Sequence, residues 1–388
     1  MKIARVHLSN IQVPLKHPYV GSRGIKLDYL KTIIRLFTDD GLVGAGETMG
    51  SPPVYARACA IAPLMVGADL ADHAQLFGPQ GPWLSRHQGI TEDWMALGGI
   101  EMACWDAAGK CAGLPVGTLL GGRRRESISM VCELSAGPFP LAVTGAETDR
   151  FFADLDNVPH VVDYAQAQLA RYGYMTLKLK STGVNPTFDL RVLTALRKAV
   201  GAGIHLRHDP NGAYTARQAI DLYRPLDELD LQWYEDPTSS LEAMAAVRAE
   251  VKTRLATNMW VIRPEHIEPA MRLGSVDVVG IDPFNWGGLA NARDSAAACA
   301  EAGLGIFGHC FFDLGIATAA NLHLCSALPD CSNGLDTCLY LQDADVVRER
   351  FVVRDGHLPV PAGPGLGVTL NEEAVSCYSI NEFDTAEV

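Results

Sequence analysis

One pattern of hydrophobic and polar positions repeats along the second two-thirds of the chain. A short apolar run ends in a residue that can bind a metal or move a proton, as in Leu231–Pro237, where LQWYEDP ends in two carboxylates and a proline. This pattern is typical of a buried parallel strand whose carboxyl end opens on a polar site. The polar ends of these runs are Lys178 and Lys180, Asp209, Glu235, Asn258, Asp282 and His309.

The spacing of these runs predicts a barrel. From Asp209 to His309 the polar ends recur every 23 to 27 residues, which is room for a strand, a loop and a helix. Helical patterns lie between the runs, so we predict a β/α barrel over residues 126–360. The eight predicted strands are Ser127–Leu134, Tyr174–Lys180, Ile204–Asp209, Leu231–Glu235, Leu255–Asn258, Val276–Ile281, Gly305–Gly308 and Cys331–Leu335.

The first 125 residues have a different pattern and predict a separate α+β capping domain. An alternating strand is expected at Ile3–Leu8, a hairpin around Asp39–Gly41, and helices over 53–79 and 91–113. The Pro-, Gly- and Lys/Arg-rich segment 14–26 predicts a mobile loop that closes over the substrate. The tail, residues 361–388, is expected to pack back on the capping domain.

Composition narrows the class of protein. The chain has 388 residues, 48% hydrophobic and 20% charged, with a formal net charge of −13 and no long basic run. These values are typical of a globular protein that binds neither nucleic acid nor an anionic membrane. The ten cysteines form no C-x-x-C pair, and the N-terminus lacks the apolar segment of a signal peptide. We therefore expect reduced cysteines and a cytoplasmic location.

Three of the strand ends predict a metal site. Asp209, Glu235 and Asn258 offer only oxygen ligands with two formal charges, the kind of set that suits Mg²⁺. The alternative is that each residue simply caps the helix that follows, as Asp and Asn often do. Their occurrence on three successive strands favours the metal.

Lys178 and Lys180 are alternate residues of one strand, so both face the same side. Like charges beside a metal lower each other's pKa, which predicts a neutral lysine that acts as a base. The other lysine would offset the charge of an anionic substrate. A solvated K-x-K face is the alternative, but the flanking residues are apolar.

The third element is a histidine with an acidic partner. Asp282 and His309 end adjacent strands, so Asp282 is expected to orient His309 as an acid or base. The alternative is a structural histidine bonded to a backbone carbonyl. Bases on both sides of a metal-bound carboxylate can abstract the proton α to that carboxylate, with the metal stabilising the enediolate.

These residues and the N-terminal motifs Gly44–Glu47, Glu101–Asp106 and Leu119–Gly122 resemble the enolase superfamily. Asn as the third ligand, together with the motifs DPNG at Asp209–Gly212 and LDT at Leu335–Thr337, resembles its glucarate dehydratase subgroup, of the mandelate racemase and muconate lactonizing enzyme type.

The resemblance implies a modified (β/α)7β or (β/α)8 TIM barrel under the N-terminal α+β domain, bound Mg²⁺ and a homo-oligomer. It implies that Asn211 supports the metal or the substrate carboxylate, and that Asp336 lies near the enediolate oxygens. Tyr19 and Arg23, in the closing loop, are expected to reach the distal end of the substrate.

Two positions depart from that subgroup. Where its members have a Ser-Asn-Asn-His run after the histidine, this chain has Cys310–Asp313, with Phe311 replacing an asparagine. Cys338 stands where a histidine is expected. Both changes predict a pocket less polar than one that binds a six-carbon diacid sugar.

The sequence thus predicts a Mg²⁺-dependent acid-sugar dehydratase, a carbon–oxygen lyase acting on a small carboxylate. Lys180 or His309 removes the α-proton, Lys178 neutralises the carboxylate, and His309 protonates the departing β-hydroxyl to give a 2-keto-3-deoxy acid. One alternative is a racemase or epimerase of a 2-hydroxy acid that uses the same two bases. Another is a non-catalytic relative that kept the fold.

Overall fold

The computed structural model describes residues 1–72, 76–77, 91–135 and 158–387. It contains a four-stranded antiparallel sheet and a closed barrel of eight parallel strands, so the predicted barrel with a separate N-terminal α+β region is confirmed. No helix in these residues is long and apolar enough to cross a bilayer. All ten cysteines are described and free.

The antiparallel sheet has the strand order β13-β1-β2-β3. The hairpin predicted around residues 39–41 is confirmed, because Lys31 pairs with Met49 and Phe37 with Val43. The tail contributes β13, which pairs with β1. The strands are β1 (Ile3–Gly21), β2 (Gly24–Thr38), β3 (Val43–Met49) and β13 (Ser379–Asp384), and the helices of this N-terminal region are α1 (Pro52–Met65), α2 (Thr91–Ala112) and α3 (Val116–Leu119).

The barrel strands follow one another in chain order, and β11 closes the ring by pairing in parallel with β4. The strands are β4 (Ser127–Leu134), β5 (Thr176–Lys180), β6 (His205–Asp209), β7 (Trp233–Glu235), β8 (Leu255–Thr257), β9 (Val278–Ile281), β10 (Gly305–Gly308) and β11 (Leu335–Thr337), with β12 (His357–Pro359) antiparallel to the start of β4.

Seven described helices connect successive barrel strands, which is the (β/α)7β arrangement. They are α4 (Val158–Tyr172), α5 (Pro186–Val200), α6 (Ala216–Leu226), α7 (Leu241–Arg248), α8 (Ile267–Leu273), α9 (Leu289–Glu301) and α10 (Gly315–Ala327); α11 (Glu372–Tyr378) follows the barrel. Local sequence fixes where they begin: Thr215 and Gln218 form a capping box at α6, and the Asn185 side chain caps α5.

Side chains inside the barrel explain why its strands are apolar. Trp233, Ala256, Val278 and Phe307, from four consecutive strands, form a buried cluster within the ring. The Arg207 guanidinium lies 3.7 Å from the centre of the Trp233 ring. This packing closes the amino-terminal part of the barrel interior and leaves the carboxyl ends of the strands for polar side chains.

Two predicted elements have different bounds in the structure. The last barrel strand, predicted at Cys331–Leu335, spans Leu335–Thr337 instead, because Gly334, at φ +76°, ends a turn in which its N–H donates to Cys331 O. The helix expected over 53–79 ends at Met65, where Gly67, at φ +88°, donates instead to Ile3 O. Residues 73–75 and 78–79 of that prediction lie outside the described residues.

The segment expected to be a loop, residues 14–26, forms the end of the β1–β2 hairpin instead. Tyr19 pairs with Lys26 and Val20 with Ile25, after a register shift between Pro14 and Tyr19. The Val20 N–H also donates to Ser135 Oγ at 2.8 Å. Cross-strand pairing and this contact with the barrel hold a Pro- and Gly-rich segment extended.

Two acidic residues of the N-terminal motifs bind the starts of two barrel helices. The Glu47 carboxylate accepts N–H groups of Leu314 and Ala317, at 2.9 and 3.0 Å, where α10 begins. Glu101 accepts the N–H groups of Leu289 and Ala290, at 2.7 and 3.1 Å, at the start of α9. Carboxylates at helix N-termini are stabilising, so these motifs dock the N-terminal region on the barrel.

Candidate active site

The carboxyl ends of the barrel strands bring the predicted polar residues together. Lys178 and Lys180 lie on β5, Asp209 ends β6 and Glu235 ends β7. Asn258, Asp282 and His309 directly follow β8, β9 and β10, and Asp336 lies in β11. All eight side chains are buried, so their charges interact with little screening by water.

Lys178 lies at the centre of four carboxylates. Its Nζ is 2.8 Å from Glu133 Oε1, 2.5 Å from Asp336 Oδ2, 3.1 Å from Glu235 Oε1 and 3.8 Å from Asp209 Oδ2. Burial lowers the pKa of this lysine, but the carboxylates outweigh burial and raise it well above its usual value. Lys178 is therefore a fixed positive charge.

Lys180 bonds to Asp209 at the same rim. Burial lowers its pKa, and the carboxylates of Asp209 and Glu133 raise it by more, so the net shift is upward. The protein groups alone thus shift the pKa of Lys180 upward; the neutral lysine was expected beside a bound metal and stays a prediction. Attraction from carboxylates on other strands exceeds the repulsion between Lys178 and Lys180.

The predicted metal ligands Asp209, Glu235 and Asn258, called the oxygen cluster below, lie next to one another. Glu235 Oε1 lies 2.6 Å from Asn258 Nδ2, and carboxylate oxygens of Asp209, Glu235 and Asp236 lie within 4.8 Å of one another. Burial, followed by the charges of Asp209 and Asp336, raises the pKa of Glu235 to about 7 in spite of Lys178. A divalent cation that prefers oxygen ligands would stabilise the ionised form of Glu235 against burial.

Asp236 was not predicted, and its role is to position Asn258. It adopts φ +40°, accepts the Thr257 hydroxyl on one oxygen and the Asn258 N–H on the other at 2.9 Å. Burial, with the nearby charges of Asp209 and Glu235, raises its pKa to about 8. Asp236 thus fixes the backbone at Asn258, and one of its oxygens also lies within 4.8 Å of ligand atoms of Asp209 and Glu235.

The His309–Asp282 pair is present as predicted. His309 Nδ1 lies 3.2 Å from Asp282 Oδ2, while Asp282 Oδ1 accepts the N–H groups of Phe284 and Asn285 at 2.8 and 2.7 Å. Burial lowers the pKa of His309, but the hydrogen bond and charge of Asp282 raise it by more. Asp282 thus orients the ring and stabilises its protonated form.

Glu133, at the end of β4, is a site residue that the sequence analysis missed. Its Oε1 binds Lys178, and its Oε2 lies 3.2 Å from Cys338 Sγ and 3.4 Å from the Tyr19 hydroxyl. Although burial favours the neutral acid, Lys178 and Lys180 hold the pKa of this carboxyl well below its usual range. The sequence contains a pattern that could have identified Glu133, because this residue follows an apolar run as the other strand-end residues do.

The predicted substrate-binding residues divide into two groups. Asn211, at φ +48°, donates its backbone N–H to Asp209 Oδ1 at 2.8 Å, and Asp336 bonds to Lys178. Tyr19 reaches Glu133, so these three lie at the rim. Arg23 does not reach the cluster: it is exposed at the hairpin end, with its guanidinium 3.4 Å from Met259 Sδ.

Aromatic side chains form one wall beside His309. The Phe311 ring meets the His309 ring edge-on at 4.7 Å, and Phe312 packs edge-on against Tyr19 at 4.5 Å. Lys26 Nζ lies 4.4 Å from the centre of the Phe312 ring. The site is therefore highly charged on the β5–β7 side and apolar near His309.

The chain is similar in sequence to known protein families and to individual proteins. The mandelate racemase/muconate lactonizing enzyme N-terminal domain family matches residues 4–121, and the enolase C-terminal domain-like family matches residues 160–374. A probable glucarate dehydratase of Streptomyces coelicolor is 33% identical, over 97% of this chain and 90% of that protein. An N-succinylamino acid racemase of an Amycolatopsis species is 29% identical, over 100% and 99%.

A solved structure shows the same architecture. The enolase of Thermobispora bispora, crystallised with magnesium and formate, aligns with a TM-score of 0.87 at 33% identity, over 97% of this chain and 92% of that one. The family matches, the relatives and the barrel geometry agree with one another. The chain belongs to the enolase superfamily, with the N-terminal domain of the mandelate racemase/muconate lactonizing enzyme family.

Proposed function

We propose that this protein is a Mg²⁺-dependent acid-sugar dehydratase that converts a hydroxylated carboxylate to a 2-keto-3-deoxy acid. The observation that supports it best is the pairing of two proton-transfer groups with one oxygen cluster. Lys180 on β5 and His309 after β10 come from well-separated strands of the ring, and the carboxylates of Asp209 and Glu235 lie between them in strand order.

Asp209, Glu235 and Asn258 would hold the metal. When bound, Mg²⁺ supplies a Lewis acid that polarises the substrate carboxylate and acidifies the adjacent C–H bond. Lys178 remains charged among its carboxylates and neutralises a substrate oxygen. Asp236 keeps the Asn258 backbone in place, and Asn211 does the same for Asp209.

Lys180 and His309 are the proton-transfer groups in this proposal. Lys180 or His309, once it has lost its own proton, removes the α-proton, and the face of the substrate that carries this proton decides which of the two acts. His309, kept protonated by Asp282, then gives a proton to the departing β-hydroxyl. The raised pKa of His309 favours this acid role at neutral pH.

The relatives support the same class of substrate. Similar proteins include a probable glucarate dehydratase and a D-xylonate dehydratase. The apolar wall of Phe311 and Phe312 favours a substrate with fewer polar groups at the end nearest His309.

The test is a screen of mono- and diacid sugars with Mg²⁺ in D₂O, read for 2-keto acid and for deuterium at the α-carbon. The expected result is keto acid from one or a few sugars. No keto acid across a broad panel, with Mg²⁺ binding verified, would contradict the proposal.

A racemase or epimerase is the second candidate, because two bases on either side of one carbon also suit inversion. The N-succinylamino acid racemase relative favours it. The same screen separates the two reactions: deuterium uptake with inversion and without keto acid identifies a racemase.

A further inference from the structure

Two cysteines that replace polar residues of the related subgroup lie side by side. Cys310 directly follows His309 after β10, and Cys338 directly follows β11. Their sulfur atoms lie within 4.8 Å of each other. The side chains are 7% and 4% exposed, so neighbouring strand ends hold both sulfurs away from bulk water.

Glu133 completes a three-residue cluster with this pair. Its Oε2 lies 3.2 Å from Cys338 Sγ, and one ligand atom of each of the three residues lies within 4.8 Å of the other two. Tetrahedral zinc, with bonds of about 2.3 Å to sulfur and about 2.0 Å to oxygen, separates its ligand atoms by roughly 3.5–3.8 Å. The ligand atoms of Glu133, Cys310 and Cys338 are therefore nearly as close together as the ligand atoms around a bound zinc ion.

The two oxygens of Glu133 face different partners. Oε1 is 2.8 Å from Lys178 Nζ, whereas Oε2 faces Cys338 and the Tyr19 hydroxyl. A small cavity lined by Cys310 and Cys338 adjoins the sulfurs. Oε2 and the sulfurs can therefore share a cation while Oε1 keeps its lysine.

We propose that Cys310, Cys338 and Glu133 bind one thiophilic divalent cation of the zinc type, separate from the oxygen cluster at Asp209 and Glu235. Binding replaces two thiol protons: two S–H bonds break, two metal–sulfur bonds form, and two protons leave to solvent. Two thiolates and one carboxylate then balance the cation and the Lys178 ammonium.

The two clusters differ in which ions they prefer. Soft thiolates select zinc-type ions, whereas carboxylate and amide oxygens select Mg²⁺. Excess Mg²⁺ should therefore leave the cysteine site free. Glu133 contacts Cys338 through one oxygen and pairs with Lys178 through the other. An ion bound to the sulfurs would therefore change the charge around Lys178 in the candidate active site.

The test is a Cd²⁺ titration of the full chain, reduced with a phosphine and kept in excess Mg²⁺. Cd²⁺ substitutes for zinc and gives an ultraviolet sulfur-to-metal charge-transfer band, a readout independent of activity. We expect one Cd²⁺ per chain in the wild type. Cys310→Ala and Cys338→Ala should each weaken binding at least tenfold, and Glu133→Gln about tenfold with the band retained at saturation.

The matched control is Cys331→Ala, which removes a thiol from the other thiol–thiol contact, with Cys325, and should leave the titration unchanged. Circular dichroism and the unfolding temperature verify that each variant folds, and Cys310→Ser replaces Cys310→Ala if the alanine variant does not. A missing band in the wild type, or a band that persists in the Cys310→Ala/Cys338→Ala double variant, would overturn the proposal. Loss of two thiols on air oxidation with no Cd²⁺ binding after full reduction would also overturn it, in favour of a disulfide.

Discussion

Two fully buried lysines, Lys31 and Lys178, show how the same residue type serves two purposes in one chain. Both are at most 1% exposed, both contact carboxylates, and both lie near an aromatic ring, Phe284 at 5.1 Å and Phe307 at 5.6 Å. Lys31 lies between the N-terminal sheet and the barrel, and Lys178 lies in the barrel mouth. The difference is in how their carboxylate partners are satisfied.

Around Lys31 the protein itself satisfies the carboxylates. Lys31 Nζ is 3.2 Å from Glu47 Oε1 and 3.9 Å from Asp313 Oδ1. Both oxygens of Glu47 accept backbone N–H groups at the start of α10, and both oxygens of Asp313 accept N–H groups from Phe311 and Asn321. This cluster is a closed structural contact between the two domains.

Around Lys178 the carboxylates face mainly side chains. Of Glu133, Asp209, Glu235 and Asp336, only Asp209 accepts a backbone N–H within the part of the chain that the structure describes. Burial, with neighbouring carboxylates, raises the pKa values of Glu235 and Asp236, as burial also does for Asp313 beside Lys31. The comparison teaches that a buried lysine alone does not identify a site; the carboxylates around Lys178 differ in that they bond mainly to side chains rather than to the backbone.

The largest expected effect is on turnover. Lys180→Ala and His309→Asn should each lower kcat by about 10²–10⁴-fold, because each removes a proton-transfer group. The measurement is keto-acid formation and α-deuterium uptake with the substrate found in the screen. Wild-type turnover by the folded double variant would contradict both assignments.

The next prediction separates the two lysines by stability. Lys31→Met and Lys178→Met should each cost about 3–5 kcal/mol without metal, because each leaves buried carboxylates unpaired. Measured against the wild type at the same Mg²⁺ concentration, Mg²⁺ should restore part of this loss in Lys178→Met only, since a cation in the oxygen cluster offsets the same carboxylates. Unfolding temperatures with and without Mg²⁺ measure the effect. If Mg²⁺ restored the same share of the lost stability in both variants, the two lysine clusters would not differ as predicted.

A smaller effect is expected on pH dependence. The folded state raises the pKa of His309, so the stability from its pair with Asp282 is present below the ordinary histidine pKa and is lost as pH rises through the folded value. If His309 acts as an acid, turnover falls over the same pH range.

Asp282→Asn should lower the pKa of His309 and move the basic limb of the turnover profile down by about one pH unit or more. Asp294→Asn, on the exposed side of α9, is the control and should leave the limb in place. An unmoved limb in Asp282→Asn would show that His309 is not the group that titrates.

Much of this architecture was predictable because burial on both faces makes barrel strands apolar, and their polar ends mark the rim. Less predictable were contacts made across the fold. The upward pKa shift of Lys180 depends on Glu133 and Asp209, which lie on different strands. The role of Asp236 depends on a left-handed backbone at one residue, and the order in segment 14–26 depends on pairing that its Pro and Gly content disfavours.

The most direct test of the difference between the lysine clusters is Mg²⁺ binding, measured by calorimetry and by unfolding temperature, in the wild type, Asp209→Asn and Glu47→Gln. We predict one Mg²⁺ per wild-type chain, with about 2.7 kcal/mol of stabilisation at a hundredfold excess over Kd. Asp209→Asn should weaken binding at least tenfold, whereas Glu47→Gln should lower baseline stability and keep the Mg²⁺ affinity. Undiminished binding in Asp209→Asn, or a Mg²⁺ response lost in Glu47→Gln, would contradict the account.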